Sequence, residues 1–165
     1  GMGEHSAAMF KLFPAVLGRY LEGRTAPGQI IHTPAEAGHV LAPYLYGARN
    51  ETVYILCLDA KEKLLGVRRL SEGNIGNSDV TIRRAAEECL ALRATFCYLA
   101  HNHASGVALP SPADMNTTQV VRAALEPLGI RLVDHLVFVD GDLVSIRETA
   151  ADQRGGFHMV YPGQW

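Results

Sequence analysis

A chain of 165 residues, 48% hydrophobic and 19% charged, has the size and composition of one folded domain and excludes an intrinsically disordered protein. Its formal charge of −2 gives no global pull toward nucleic acid, and the grouping of Arg68, Arg69, Arg83 and Arg84 reads as a solvated face. No apolar run reaches the roughly 18–20 residues that span a bilayer, and no secretory signal is visible, so a cytoplasmic protein without a membrane partner is expected.

Residues 8–22 place Met9, Leu12, Phe13, Val16, Leu17 and Tyr20 at helical spacing, with a kink or a start at Pro14. Residues 24–29, with Pro27 and Gly28, read as a linker. Thr33-Pro34-Ala35-Glu36 has the form of a capping box, followed by a buried stripe of Ala37, Val40, Leu41 and Tyr44 and a stop at Gly47. Residues 51–59 (ETVYILCLD) read as a strand, paired through a turn at 61–63 with a second strand over 64–70. A loop over 71–77 leads to a helix capped by Ser78 or Asp79, with Ile82, Ala85, Ala86 and Cys89 on its apolar face. Residues 94–100 (ATFCYLA) form a buried strand and 101–110 a loop. Ser111 starts a helix whose core face is Val121, Ala124, Leu125 and Leu128 and which Gly129 stops. Two strands, 131–140 and 143–147, flank the turn Asp140-Gly141-Asp142, and the last dozen residues read as a tail. Without a regular βαβ rhythm, this order predicts an α/β domain of the α+β type with a mixed sheet.

Cys57, Cys89 and Cys97 are odd in number, and none belongs to a C-x-x-C pair. That pattern argues against a disulfide framework or a cysteine zinc knuckle and predicts buried free thiols.

The chemistry concentrates in His101-Asn102-His103, followed after seven residues by Ser111-Pro112-Ala113-Asp114. Two histidines at i and i+2 leaving a strand can turn toward one point, and a carboxylate supplies a third ligand. A fourth, open position distinguishes catalytic from structural zinc. Taken alone, an H-x-H pair is more often two hydrogen-bonded or surface histidines. Taken alone, S-x-x-D is a standard helix start with Ser111 as N-cap and Pro112 at the first helical position. The readings are compatible, because a helix N-terminus can hold Asp114 while its carboxylate faces a metal. Two histidines and a carboxylate also suit iron or manganese.

Taken whole, H-x-H-x(7)-S-x-x-D resembles the JAMM motif of the JAB/MPN metallohydrolases, a family of zinc isopeptidases and peptidases. HNHASGVALPSPADMNTT resembles the RadC branch, whose usual form is HNHPSG followed by PSxxD, as does Asp134-His135 within Val133 to Val139. The resemblance implies a JAB/MPN-like, cytidine-deaminase-like mixed sheet flanked by helices. It divides the chain into an N-terminal helix and linker (1–30), a RadC-like domain (31–148) and a tail (149–165). It implies one zinc ion per chain on His101, His103 and Asp114, a peptide or protein substrate, and Ser111 steadying the oxyanion. It also implies an upstream glutamate as general base. Glu51, opening its strand, is the candidate, with Glu62 and Glu72 as alternatives and Glu72 the closer rival in its loop. Asp134 or His135 is a candidate outer partner of the ligand histidines. The other reading leaves Asp134 a strand-start residue and His135 buried beside the sheet.

Three departures stand out. Ala104 replaces the usual proline after the second histidine, and Ser78-Asp79-Val80 replaces a proline-arginine pair. The first thirty residues are too short for the helix-hairpin-helix module common in the branch, so a DNA-repair-associated role and a nucleic-acid partner have no support in this chain. A non-catalytic interaction module of the same fold is the other alternative, and the oligomeric state stays open.

Overall fold

The β-branched and aromatic run TVYILCL forms an inner strand of a five-stranded sheet. The computed structural model describes residues 27–45, 48, 50–73, 78–103, 109–139 and 142–152. Along them run α1 (Pro34–Leu45), β1 (Thr52–Leu58), β2 (Leu64–Glu72), α2 (Ser78–Ala91), β3 (Phe96–Asn102) and α3 (Pro112–Leu125). A 3-10 turn (Glu126–Leu128), β4 (Arg131–Val139), β5 (Asp142–Ser145) and α4 (Ile146–Asp152) follow. The strand order is β2-β1-β3-β4-β5. β3 and β4 are parallel, joined through α3, and every other neighbouring pair is antiparallel. This is the mixed sheet flanked by helices that the sequence predicts.

Strand alternation sorts the apolar side chains onto two faces. Leu56 and Leu58 of β1, Tyr98 and Ala100 of β3, and Leu136 and Phe138 of β4 pack with Ala37, Val40 and Leu41 of α1. On the opposite face, Val53, Ile55 and Cys57 of β1 and Cys97 and Leu99 of β3 meet Ala85 and Cys89 of α2 and Val121 and Leu125 of α3. The sheet is thus covered on both sides. The three cysteines are free and buried, as predicted, with the Cys57 and Cys89 sulfurs 3.7 Å apart. No helix among the described residues is long and apolar enough to cross a membrane.

Several boundaries differ from the predicted ones, each for a hydrogen-bonding reason. β3 continues through His101 and Asn102 instead of stopping at Ala100, because His101 pairs with Val53 of β1 and with Val137 of β4. β1 stops short of Asp59, whose carboxylate accepts the backbone N–H groups of Lys61 and Lys63 and closes the turn. β2 runs on to Glu72, opposite Thr52, so Ser71 and Glu72 belong to a strand and not to a loop. β5 ends at Ser145, where α4 begins: the Ser145 hydroxyl accepts the Glu148 N–H and Asp134 accepts the Arg147 N–H. Leu128 lies outside the core face at 45% exposure, because the chain tightens into a 3-10 turn around Pro127. The predicted helix over 8–22, the stop at Gly47, the turn residues Asp140 and Gly141, and the tail beyond 152 lie outside the described residues, as do 74–77 and 104–108.

Gly129 ends the 3-10 turn with φ of 72°, a left-handed conformation that places Ile130 at the entry to β4. A Cβ there meets no neighbour, so the cost of a side chain is that of the backbone alone. Gly129→Ala should destabilise the fold by about 1–2 kcal/mol. The change would appear as a lower urea midpoint at an unchanged m-value, and an unmoved midpoint would contradict it.

Candidate metal centre

The centre grows from the way β3 ends. His101 is held between Val53 and Val137, and its side chain is 1% exposed. The His103 N–H donates to the Phe138 carbonyl at 3.0 Å, which carries the β3–β4 pairing one step past the strand. An extended backbone puts i and i+2 on one face. The His101 and His103 rings accordingly lie side by side, with centroids 4.7 Å apart.

The third group comes from the start of α3. Ser111 is the N-cap with φ −77° and ψ 162°, Pro112 follows, and the capping box is complete. The Ser111 N–H and hydroxyl both donate to Asp114 Oδ2, at 2.7 and 2.6 Å, and the Asp114 N–H returns to Ser111 Oγ at 3.2 Å. Held in this way, the Asp114 carboxylate lies 3.2 Å from His101 Nε2 through Oδ1 and 3.1 Å from His103 Nε2 through Oδ2. Burial alone would raise the Asp114 pKa. Its closeness to His101 and the Ser111 donors outweigh that and hold it well below the usual carboxylate range. The helix N-terminus adds to the preference for the anion. Capping and ligand geometry therefore coexist in one residue.

One ligand atom from each of the three residues lies within 4.8 Å of the others. His101 Nε2 is buried and has no hydrogen-bond partner, although Asp114 Oδ1 is 3.2 Å away. A buried imidazole nitrogen aimed at a carboxylate without bonding to it is what a cation between them would satisfy. Two imidazoles and a carboxylate fit zinc, and equally the nitrogen- and oxygen-liking iron or manganese.

The other predicted residues separate. Glu51 is half-buried and lies two residues before Val53, so it enters β1 level with His103, at the end of the sheet that carries the two histidines. Asn102, the middle residue of the histidine pair, anchors both of its neighbours: Asn102 Oδ1 accepts the Thr52 N–H at 2.8 Å and Nδ2 donates to the Asn50 carbonyl at 3.0 Å. Glu62 sits in the β1–β2 turn against His32, at the far end of β1. Glu72 ends β2, with β1 between it and β3, and pairs with Arg69 at 2.6 Å. Its partner Thr52 alternates with Val53, which directs Glu72 to the face away from His101.

Asp134 is not an outer partner of the histidines. It is 0% exposed and accepts from the His135 N–H, the Ser145 hydroxyl and the Arg147 N–H, joining β4 to the start of α4. His135 is the residue that meets the candidate ligand His101: its Nε2 lies 2.8 Å from His101 Nδ1 and its Nδ1 lies 2.7 Å from Thr118 Oγ1. Burial foremost pushes the His135 imidazole well below its ordinary pKa, which keeps the ring neutral. Thr118 and Asn102 were not singled out from the sequence. Thr118 was legible as the residue one helical turn after Asp114, and Asn102 as a polar residue in a strand that is otherwise buried.

Comparison with known proteins identifies the family. The family model of the RadC-like JAB domain matches residues 31–151. A UPF0758 protein of Photobacterium profundum is 32% identical over 148 residues, covering 90% of this chain and 66% of its own length. A UPF0758 protein of Xylella fastidiosa is 37% identical over 130 residues, covering 79% of this chain and 58% of its own. One from Vibrio cholerae is 34% identical over 148 residues, with coverages of 90% and 66%. The chain thus spans under two thirds of these relatives. The family model covers most of the chain and the mixed sheet is consistent with it: the chain belongs to the RadC-like JAB domain family.

Proposed function

We propose that this domain is a zinc-dependent hydrolase that cleaves amide bonds in peptide or isopeptide substrates. The observation that carries the reading is the buried, unpartnered His101 Nε2 among three convergent ligand atoms. His101, His103 and Asp114 would hold the zinc ion, which when bound would supply Lewis acidity and an activated water at neutral pH. Glu51, at the same end of the sheet, takes the proton of the attacking water and delivers it to the leaving nitrogen as the C–N bond breaks. The Ser111 backbone N–H keeps Asp114 oriented, which frees the Ser111 hydroxyl to turn from Oδ2 toward the developing oxyanion. The buried free thiols suit a reducing compartment, and the cytoplasm is the proposed location. Three convergent candidate ligands support the catalytic reading over a non-catalytic module of the same fold.

The test is cleavage of broad peptide and isopeptide libraries by the zinc-loaded chain, read by mass spectrometry. The wild type should release products, and Glu51→Gln should cut turnover by about 10²–10⁴-fold with zinc content unchanged. Absence of wild-type cleavage, or full activity in Glu51→Gln, would overturn the assignment it addresses.

A further inference from the structure

His101 can ligate a metal through Nε2 only if its proton sits on Nδ1. The groups behind that nitrogen decide where the proton is. Thr118 has one hydroxyl proton, and its Oγ1 donates to the Asp114 carbonyl at 2.6 Å. Toward His135 Nδ1, 2.7 Å away, Oγ1 is left as acceptor, so the proton on that contact belongs to His135. His135 is 2% exposed, packed between the sheet and α3, and its ring nitrogens meet His101 and Thr118. A neutral ring protonated on Nδ1 offers a lone pair on Nε2, and His101 Nδ1, 2.8 Å away, is the donor to it.

The opposite polarity would cost Thr118 its bond to the Asp114 carbonyl. If Thr118 donated to His135, the protons would shift along the chain and His101 would carry hydrogen on Nε2. That proton would lie between Nε2 and Asp114 Oδ1, 3.2 Å away, and would close Nε2 to a metal.

We infer that Thr118 and His135 form a positioning relay that fixes His101 as the Nδ1–H tautomer and presents a bare Nε2 lone pair to the metal position. The inference rests on the metal-centre reading above and adds two residues that act through His101. The relay also ties the two sides of the site together: Thr118 bonds to the backbone of Asp114 and, through His135, to the ring of His101. Ligand orientation by an outer hydrogen bond is a general property of metal-bound histidine, but here the outer partner is a second buried histidine.

Imidazole ¹⁵N spectra of the metal-free full chain test the tautomer without a variant. His101 should appear protonated on Nδ1, and a spectrum showing it protonated on Nε2 overturns the relay. Zinc affinity, measured against a competing chelator, tests the hydroxyl. Thr118→Val should weaken zinc binding by about 10–100-fold, while Thr118→Ser should restore it to near wild type. Wild-type affinity in Thr118→Val, or equal loss in both variants, would remove Thr118 from the relay. A wild type that shows the Nδ1–H tautomer yet binds no zinc would sink the metal reading and leave the relay standing.

Discussion

Asp114→Asn should abolish stoichiometric zinc binding while leaving the metal-free chain folded. The amide keeps the shape of the carboxylate, so one oxygen still accepts from the Ser111 N–H and hydroxyl that cap α3. The anion is lost, and with it the helix N-terminus contribution of about 0.3–1 kcal/mol and the charge-assisted part of the Ser111 bonds. The amide N–H₂ offers a donor to the otherwise unpartnered His101 Nε2, which offsets part of that cost. The metal loses its only anionic ligand among the three convergent residues. The affinity should fall by more than the roughly 100-fold that losing an outer partner costs. The difference is visible in thermal unfolding, because free zinc at about 100 times its dissociation constant stabilises the wild type by about 2.7 kcal/mol. The variant should show no such shift. An equal zinc-dependent shift in Asp114→Asn would mean that the ion binds elsewhere.

Asp134→Ala should destabilise the domain by about 3–5 kcal/mol. The carboxylate is fully buried and serves three donors: the His135 N–H, the Ser145 hydroxyl and the Arg147 N–H. Truncation strands all three and removes the side chain that holds the first turn of α4 to β4. Urea denaturation reads the loss directly, and a change below about 1 kcal/mol would contradict this account of Asp134. The same variant separates the neighbouring residues of the Asp134-His135 pair. Asp134 supports the fold on the α4 side, whereas His135 points to the other face and to His101. Any Asp134→Ala protein that folds should therefore retain zinc affinity.

The period of the apolar residues made most of the elements legible, and the spacing of His101, His103, Ser111 and Asp114 made the site legible. What escaped the sequence was set by partners distant along the chain. His101 reads as a loop residue until β1 and β4 are seen to pair with it on both sides. Glu72 reads as a loop residue near the site until its pairing with Thr52 fixes its face. Asp134 beside His135 reads as one unit, yet strand alternation sends the two side chains to opposite faces. The short helix α4 had a local signature in Ser145-Ile146-Arg147-Glu148, but the strand pattern before it masked the boundary. Thr118 carried no motif of its own. Its role follows from the single proton of a hydroxyl already committed to the Asp114 carbonyl.

The central claim is a nitrogen- and oxygen-ligated catalytic zinc, and X-ray absorption at the zinc edge of the zinc-loaded full chain tests it most directly. The account predicts one zinc per chain with two imidazoles and one carboxylate at about 2.0–2.2 Å, a further oxygen in the open position, and no sulfur. Scattering from sulfur at about 2.3 Å would place the ion on the buried cysteines, and zinc well below one per chain after loading would contradict the centre altogether.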